Sequence, residues 1–153
     1  MIEILKKSYI FEGLEEKALN DISSFTKHEF HAPGDTIINE DQSDSYDLFI
    51  LLHGRVDVII SVVDNISRTK QEKMIETIYP GDVFGEMSCI LKKRRSATVK
   101  SIDNSEILRI DGVKLASYME AHKDYGYEIL KKIVTVLSGR LMNTNFLLRN
   151  NFL

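Results

Sequence analysis

The chain has 153 residues and a formal net charge of −3, with a sequence pI near 5.8, a balance that excludes broad, sequence-independent nucleic-acid binding, which needs a strongly basic face. Its 43% hydrophobic and 28% charged residues are enough for one packed domain with a polar surface. The single cysteine, Cys89, excludes an intrachain disulfide and points to a reducing, cytoplasmic setting.

The opening MIEILKKSYIFEGL has no long apolar core, so no secretory signal is expected. Nor does any apolar run approach the roughly 20 residues of a membrane span. Residues 2–27 read as helical, with Leu14, Ala18, Ile22 and Phe25 recurring at three- and four-residue steps. From Glu29 the period changes to short apolar runs broken by turn chemistry. Pro33-Gly34-Asp35 is a turn, and 41–45 a polar loop. Leu48, Ile50 and Leu52 alternate up to His53-Gly54, and Val56, Val58 and Ile60 alternate again. Residues 64–73 are polar and read as an exposed hairpin end. Met74 to Tyr79 is a further strand, closed by Pro80-Gly81-Asp82. Ala97 and Val99 alternate, and Ile107 to Ile110 form a last strand. Many short strands at regular spacing predict a mainly β chain with flanking helices: a β-jelly-roll barrel with an N-terminal helix and two C-terminal helices.

Asp111 is a candidate N-cap for a helix over 113–121. A longer helix is expected from Tyr127 to about Arg149. Along it Leu130, Val134, Leu137, Leu141, Thr144 and Leu148 fall on alternating four- and three-residue steps. That is a heptad seam, suited either to packing on the barrel or to pairing with a second copy of itself.

The segment Phe84 to Val99, FGEMSCILKKRRSATV, carries the chemistry. Gly85 has no Cβ, so a ligand can approach the backbone. A short helix over 86–90 would aim free N–H groups outward. Arg95 follows, and a guanidinium grips two phosphate oxygens at once. Glu86 would repel a phosphate but accept hydrogen bonds from a sugar hydroxyl. A ribose carrying a phosphate satisfies the set. The competing reading of the same charges is a surface ion pair between Glu86 and Arg95, with 92–95 a solvated basic turn.

The order Phe84-Gly85-Glu86-Met87-Ser88, then Arg95-Ser96-Ala97-Thr98-Val99, resembles the phosphate-binding cassette of the cyclic nucleotide-binding domain family. That family includes catabolite-activator-like regulators, regulatory subunits of cyclic-nucleotide-dependent kinases, and nucleotide-gated channels. Phe11-Glu12-Gly13-Leu14, Pro33-Gly34-Asp35-Thr36-Ile37-Ile38 and 48–58 (LFILLHGRVDV) resemble its helical entry, early barrel turn and strand–glycine–strand signature. The resemblance implies a helical segment over 1–27, a cyclic nucleotide-binding barrel over 28–110, and lid and dimerisation helices over 111–153. It implies a sensor that binds cyclic AMP or cyclic GMP, with no cofactor and no catalysis. Arg95 would pair with the phosphate, helped by backbone amides near Met87, Ser88, Ser96 and Ala97. Glu86 and the Gly85 backbone would hold the ribose hydroxyl. The Ser96 side chain would lie near phosphate or base. Arg140 and Thr144 would reach the base, and Asn145 would do so from a second subunit. A homodimer through the last helix and an unidentified effector protein or domain are the implied partners. No helix-turn-helix follows Arg149, so no DNA-binding domain is expected in this chain.

Three features depart from the family pattern. The loop 40–45 lacks the usual glycines, Arg94 stands where a proline often precedes the arginine, and Cys89 replaces an aliphatic residue. Two other readings compete: a nucleotide-free dimerisation module of the same fold, and a cupin-like metalloenzyme. The second is opposed by the histidines His28, His31, His53 and His122, which include no His-x-His pair.

Overall fold

Two four-stranded antiparallel sheets face each other in the computed structural model, which describes residues 1–151. The strands are β1 (Thr26–His31), β2 (Thr36–Ile38), β3 (Leu48–His53), β4 (Val56–Val63), β5 (Lys70–Ile78), β6 (Val83–Phe84), β7 (Thr98–Ser101) and β8 (Ser105–Ile110). One sheet runs β1-β8-β3-β6 and the other β2-β7-β4-β5. This is the expected jelly roll, mainly β with helices at its flank.

In the first sheet β3 and β6 are buried on both faces, which explains their apolar sequences, whereas the edge strand β1 is polar and partly exposed. In β3, Leu48 and Ile50 belong to a core shared with the helices, while Phe49 and Leu51 point into the barrel interior. Val83 and Phe84 divide in the same way, as do Leu108 and Ile107. Leu52, read as the third member of an alternating face, packs only at the margin of the helical core.

The N-terminal segment is not one helix. It forms α1 (Ile2–Lys7), a 3-10 turn (Tyr9–Phe11) and α2 (Glu16–Ser23), and β1 already begins at Thr26. The break follows from Ser8, which is extended at φ −75° and ψ 130°. The turn it starts buries Ile10 and Phe11 beside Leu5, Leu19 and Ile22, five apolar residues that one continuous helix would spread around its circumference.

After the barrel, α4 (Gly112–Ala121) starts at Asp111, whose carboxylate accepts hydrogen bonds from the backbone N–H groups of Val113 and Lys114. This is the expected N-cap. The last helix, α5 (Lys123–Asn151), starts four residues earlier than the periodicity indicated. At 29 residues it is about 43 Å long. Ile129 and Ile133 anchor its first half in the core, whereas 141–150 are all exposed. Phe152 and Leu153, at the end of the expected C-terminal segment, lie outside the described residues. No helix among the described residues is long and apolar enough to cross a membrane.

Candidate functional site

The cassette is a strand, a turn, a short helix and a return loop. Strand β6 ends at Phe84, and Gly85 takes the left-handed conformation at φ 77°. Helix α3 (Glu86–Leu91) follows and ends at Lys92, also left-handed. A Cβ on Gly85 would lie 2.9 Å from Arg95 Nη1 and 2.9 Å from the Asp47 carbonyl oxygen, so both dihedral and space require glycine here.

Lys92, Lys93 and Arg94 are exposed, but Arg95 turns inward and is 4% exposed. The loop holding it is clamped by 40–45: Arg95 N–H donates to the Gln42 carbonyl (2.9 Å), and Asp41 N–H donates to the Arg95 carbonyl (3.0 Å). That loop manages without glycine because Asp41 itself adopts φ 66°, a conformation aspartate tolerates better than most side chains. The other departures are equally local. Arg94 points to solvent, and Cys89 is buried in the helical core, where burial pushes its thiol pKa up to about 11.

Arg95 Nη1 donates to the Gly85 carbonyl (3.0 Å), and Nη2 donates to the Asp47 carbonyl (2.9 Å) and to Ser45 Oγ (3.4 Å). Its guanidinium lies 5.7 Å from the centre of the Phe49 ring, which stacks on Phe84. Arg95 Nε is buried and has no hydrogen-bond partner among the described residues. Burial draws the Arg95 pKa below the ordinary arginine value, and the nearby charges of Asp47 and Glu86 oppose that shift. Arginine nevertheless stays protonated. A cation that is desolvated and short of one acceptor is suited to an incoming anion.

Glu86 is buried as well, at 6% exposure. No ion pair joins it to Arg95; its partner is Arg140 on α5, with Nη1 2.9 Å from Glu86 Oε1. The reading of Glu86 and Arg95 as a surface pair is therefore corrected on both counts, burial and partner. Arg140 also bonds Glu76 on β5 through Nε (3.2 Å) and the Val83 carbonyl through Nη2.

Arg95 and Glu86 open onto one cavity of about 470 Å³. Its walls are apolar, from Ile38, Val58, Ile78 and Val99 of the barrel and Leu137 and Leu141 of α5. Gly85, Met87, Ser88, Ser96, Ala97, Arg140 and Thr144 also line it. The predicted site residues thus converge, with one exception: Asn145 is exposed on α5 and does not line the cavity of its own chain. Thr144 Oγ1 donates to the Arg140 carbonyl on the same helix.

Two residues escaped the sequence reading. Glu76 is one. The other is Asp47, whose backbone carbonyl holds Arg95 while its carboxylate accepts from Arg109 Nε (2.6 Å) and from the Gly112 N–H (3.2 Å). Asp47 thereby joins the buried arginine to the first residue of α4. Neither residue stands in a recognisable motif. The only local signal for Asp47 is a carboxylate directly before an apolar strand. Among the described residues, no three His, Cys, Asp or Glu side chains converge to hold a metal, so the cupin-like set is not formed.

Comparison with known proteins agrees with this fold. The family model described as "Cyclic nucleotide-binding domain" matches residues 28–122. The potassium channel KAT1 of Arabidopsis thaliana is 30% identical over 137 residues, covering 90% of this chain and 19% of the channel. Potassium channel KAT3 of Oryza sativa subsp. japonica is 25% identical, covering 80% of this chain and 23% of that one. The chain spans about a fifth of the length of the curated relatives it matches. Among solved structures, a cyclic nucleotide-binding domain from Methylobacillus flagellatus superposes with a TM-score of 0.81 at 18% identity, covering 99% of this chain and 82% of that one. The Thermus thermophilus catabolite activator protein superposes at 0.72 and 20% identity, over 93% and 62% of the two chains. The regulatory domain of Toxoplasma gondii PKA, crystallised with cAMP, superposes at 0.63 and 23% identity, over 76% and 42%.

Proposed function

We propose, since the chain belongs to the cyclic nucleotide-binding domain family, that its barrel binds cyclic AMP or cyclic GMP and signals occupancy through α4 and α5. One observation carries the reading: two buried residues of opposite charge, Arg95 and Glu86, line one apolar cavity without pairing to each other. The cyclic phosphate lies against Arg95 and the N–H groups near Ser88 and Ala97. The ribose hydroxyl goes to Glu86 beside the Gly85 backbone, and the base rests between the apolar wall and α5. Ser96 faces phosphate or base. Thr144 keeps lone pairs for the base, and Asn145 arrives from a second copy. The site needs no cofactor and performs no catalysis; the protein is a cytoplasmic sensor whose output is passed to an effector domain or protein.

Ligand shifts a conformational equilibrium only as far as it prefers one state over the other. Here the preference has a route. An anion drawing on Arg95 competes with the Asp47 carbonyl, and Asp47 also holds the start of α4. Calorimetric titration with cyclic AMP and, separately, cyclic GMP tests the reading. Saturable binding at one site per chain is expected, with one nucleotide preferred. If neither binds, the nucleotide-free dimerisation module takes its place.

The dimer is part of the proposal. Of the seam, Leu130, Val134, Leu141 and Leu148 are 38%, 55%, 61% and 49% exposed, and only Leu137 packs against the core. An apolar stripe left in water along a projecting helix favours a second copy of the same stripe. Sedimentation equilibrium should show a dimer that Leu141→Lys converts to monomer. A monomeric wild type, or a variant that still dimerises as wild type does, would remove the second copy from the scheme.

A further inference from the structure

The structure assigns Glu76 a positioning role in ribose recognition: it holds Arg140 so that Arg140 pins one oxygen of Glu86, leaving the other oxygen to accept the ligand's hydroxyl. This rests on the proposed cyclic nucleotide site and extends it to a residue on β5 and a residue on the lid helix.

The chain of contacts is short. Glu76 Oε1 lies 3.2 Å from Arg140 Nε, and Arg140 Nη1 lies 2.9 Å from Glu86 Oε1. Arg140 Nη2 is taken by the Val83 carbonyl, directly before the cassette. All three guanidinium nitrogens are therefore committed, and the planar fork cannot rotate without breaking a bond. Arg140 is also the one cation within ion-pair distance of Glu86 among the described residues. Glu86 needs such a partner. Its side chain is 8% exposed, and an uncompensated carboxylate in an apolar cavity is costly and would repel the phosphate beside it. With Arg140 on Oε1, the Glu86 charge has a partner, shared with the more exposed Glu76, and Oε2 keeps its acceptor capacity.

Arg140 sits on α5, and Glu76 and Glu86 sit on the barrel. Orientation of the hydroxyl acceptor and docking of the lid helix are thus one interaction. A ligand that uses the hydroxyl favours the docked helix, whereas one lacking it gains from Arg140 only the charge compensation its phosphate needs. Glu76 touches no ligand in this scheme and acts only through the arginine.

The test is calorimetric titration of wild type, Glu76→Gln and Arg140→Gln with cyclic AMP and cyclic GMP, each alongside its 2′-deoxy analogue. In Glu76→Gln, which keeps the Arg140 charge beside Glu86, the ribose ligand should bind about tenfold more weakly, the lower end of the value of one hydrogen bond to a charged group, while the 2′-deoxy analogue changes less than about twofold. Arg140→Gln, which leaves the Glu86 carboxylate unpaired beside the phosphate, should weaken both ligands, the ribose ligand more. Glu76→Asp should recover part of the discrimination. Equal weakening of both ligands in Glu76→Gln would make the clamp a general packing element and overturn the inference, as would no change in either. If the wild type binds none of the four nucleotides, the cyclic nucleotide reading itself fails and this inference falls with it. If the wild type binds but the pattern is missing, only the inference falls.

Discussion

Arg95→Ala should weaken cyclic nucleotide binding by about 2–5 kcal/mol, roughly thirtyfold or more in Kd. The phosphate charge would enter a cavity whose walls are apolar and whose buried cation has gone. The unliganded protein should suffer less. The Arg95 side chain makes three hydrogen bonds, but its charge is desolvated and its Nε has no partner among the described residues. Removal leaves the Gly85 and Asp47 carbonyls without their donor, yet also removes a buried cation, and these effects oppose. Affinity and stability should therefore separate: calorimetry reports a large loss of binding while the thermal midpoint without ligand moves little. Arg95→Lys should fall between, because an ammonium keeps the charge and loses the fork. Wild-type affinity in the alanine variant would mean that the phosphate lies elsewhere in the cavity.

Gly112→Ala should have the largest effect on stability of any single added methyl. A Cβ there would stand 1.9 Å from the Tyr46 carbonyl oxygen and 2.6 Å from its carbon, both backbone atoms that have no rotamer by which to yield. The start of α4 and the segment before β3 would have to separate. Overpacking of this kind costs about 3 kcal/mol, equivalent to roughly 6–12 °C in Tm for a domain of this size. Differential scanning calorimetry reads it directly. Gly139→Ala provides the contrast, since the space around that position is open; there alanine should be neutral or slightly stabilising through helix propensity. The same displacement would stretch the Gly112 N–H bond to Asp47, the proposed link between Arg95 and α4. A midpoint equal to wild type would show that the two segments are not locked together at this point.

The cassette was readable because its chemistry is packed into adjacent residues. Gly85, Glu86 and Arg95 lie on one short stretch, and each answers a local rule of the proposed site: a left-handed turn, an acceptor for a hydroxyl, a cation for a phosphate. The α5 seam was readable for a similar reason, since period is a local property. The N-terminal segment misled because the spacing of Leu14, Ala18, Ile22 and Phe25 is compatible with one helix, while the extended backbone at Ser8 follows from burying Ile10 and Phe11 in the helical core. Neighbours distant in sequence decided that outcome.

By itself, then, the amino-acid order determined the family, the barrel with its flanking helices, and a short list of residues that, Asn145 apart, line one cavity. The tertiary structure decided who partners whom. Arg95 turns away from the basic run 92–94 and into the barrel because the carbonyls of Gly85 and Asp47 receive it there. Glu86 pairs not with its sequence neighbour but with Arg140, more than fifty residues on, because α3 and α5 bring them to one wall of the cavity. Glu76 carries no local signature, and Asp47 only its place directly before an apolar strand. A charge pair depends on distance in space and on exclusion of water, and neither quantity is written in the spacing of residues along a strand or helix.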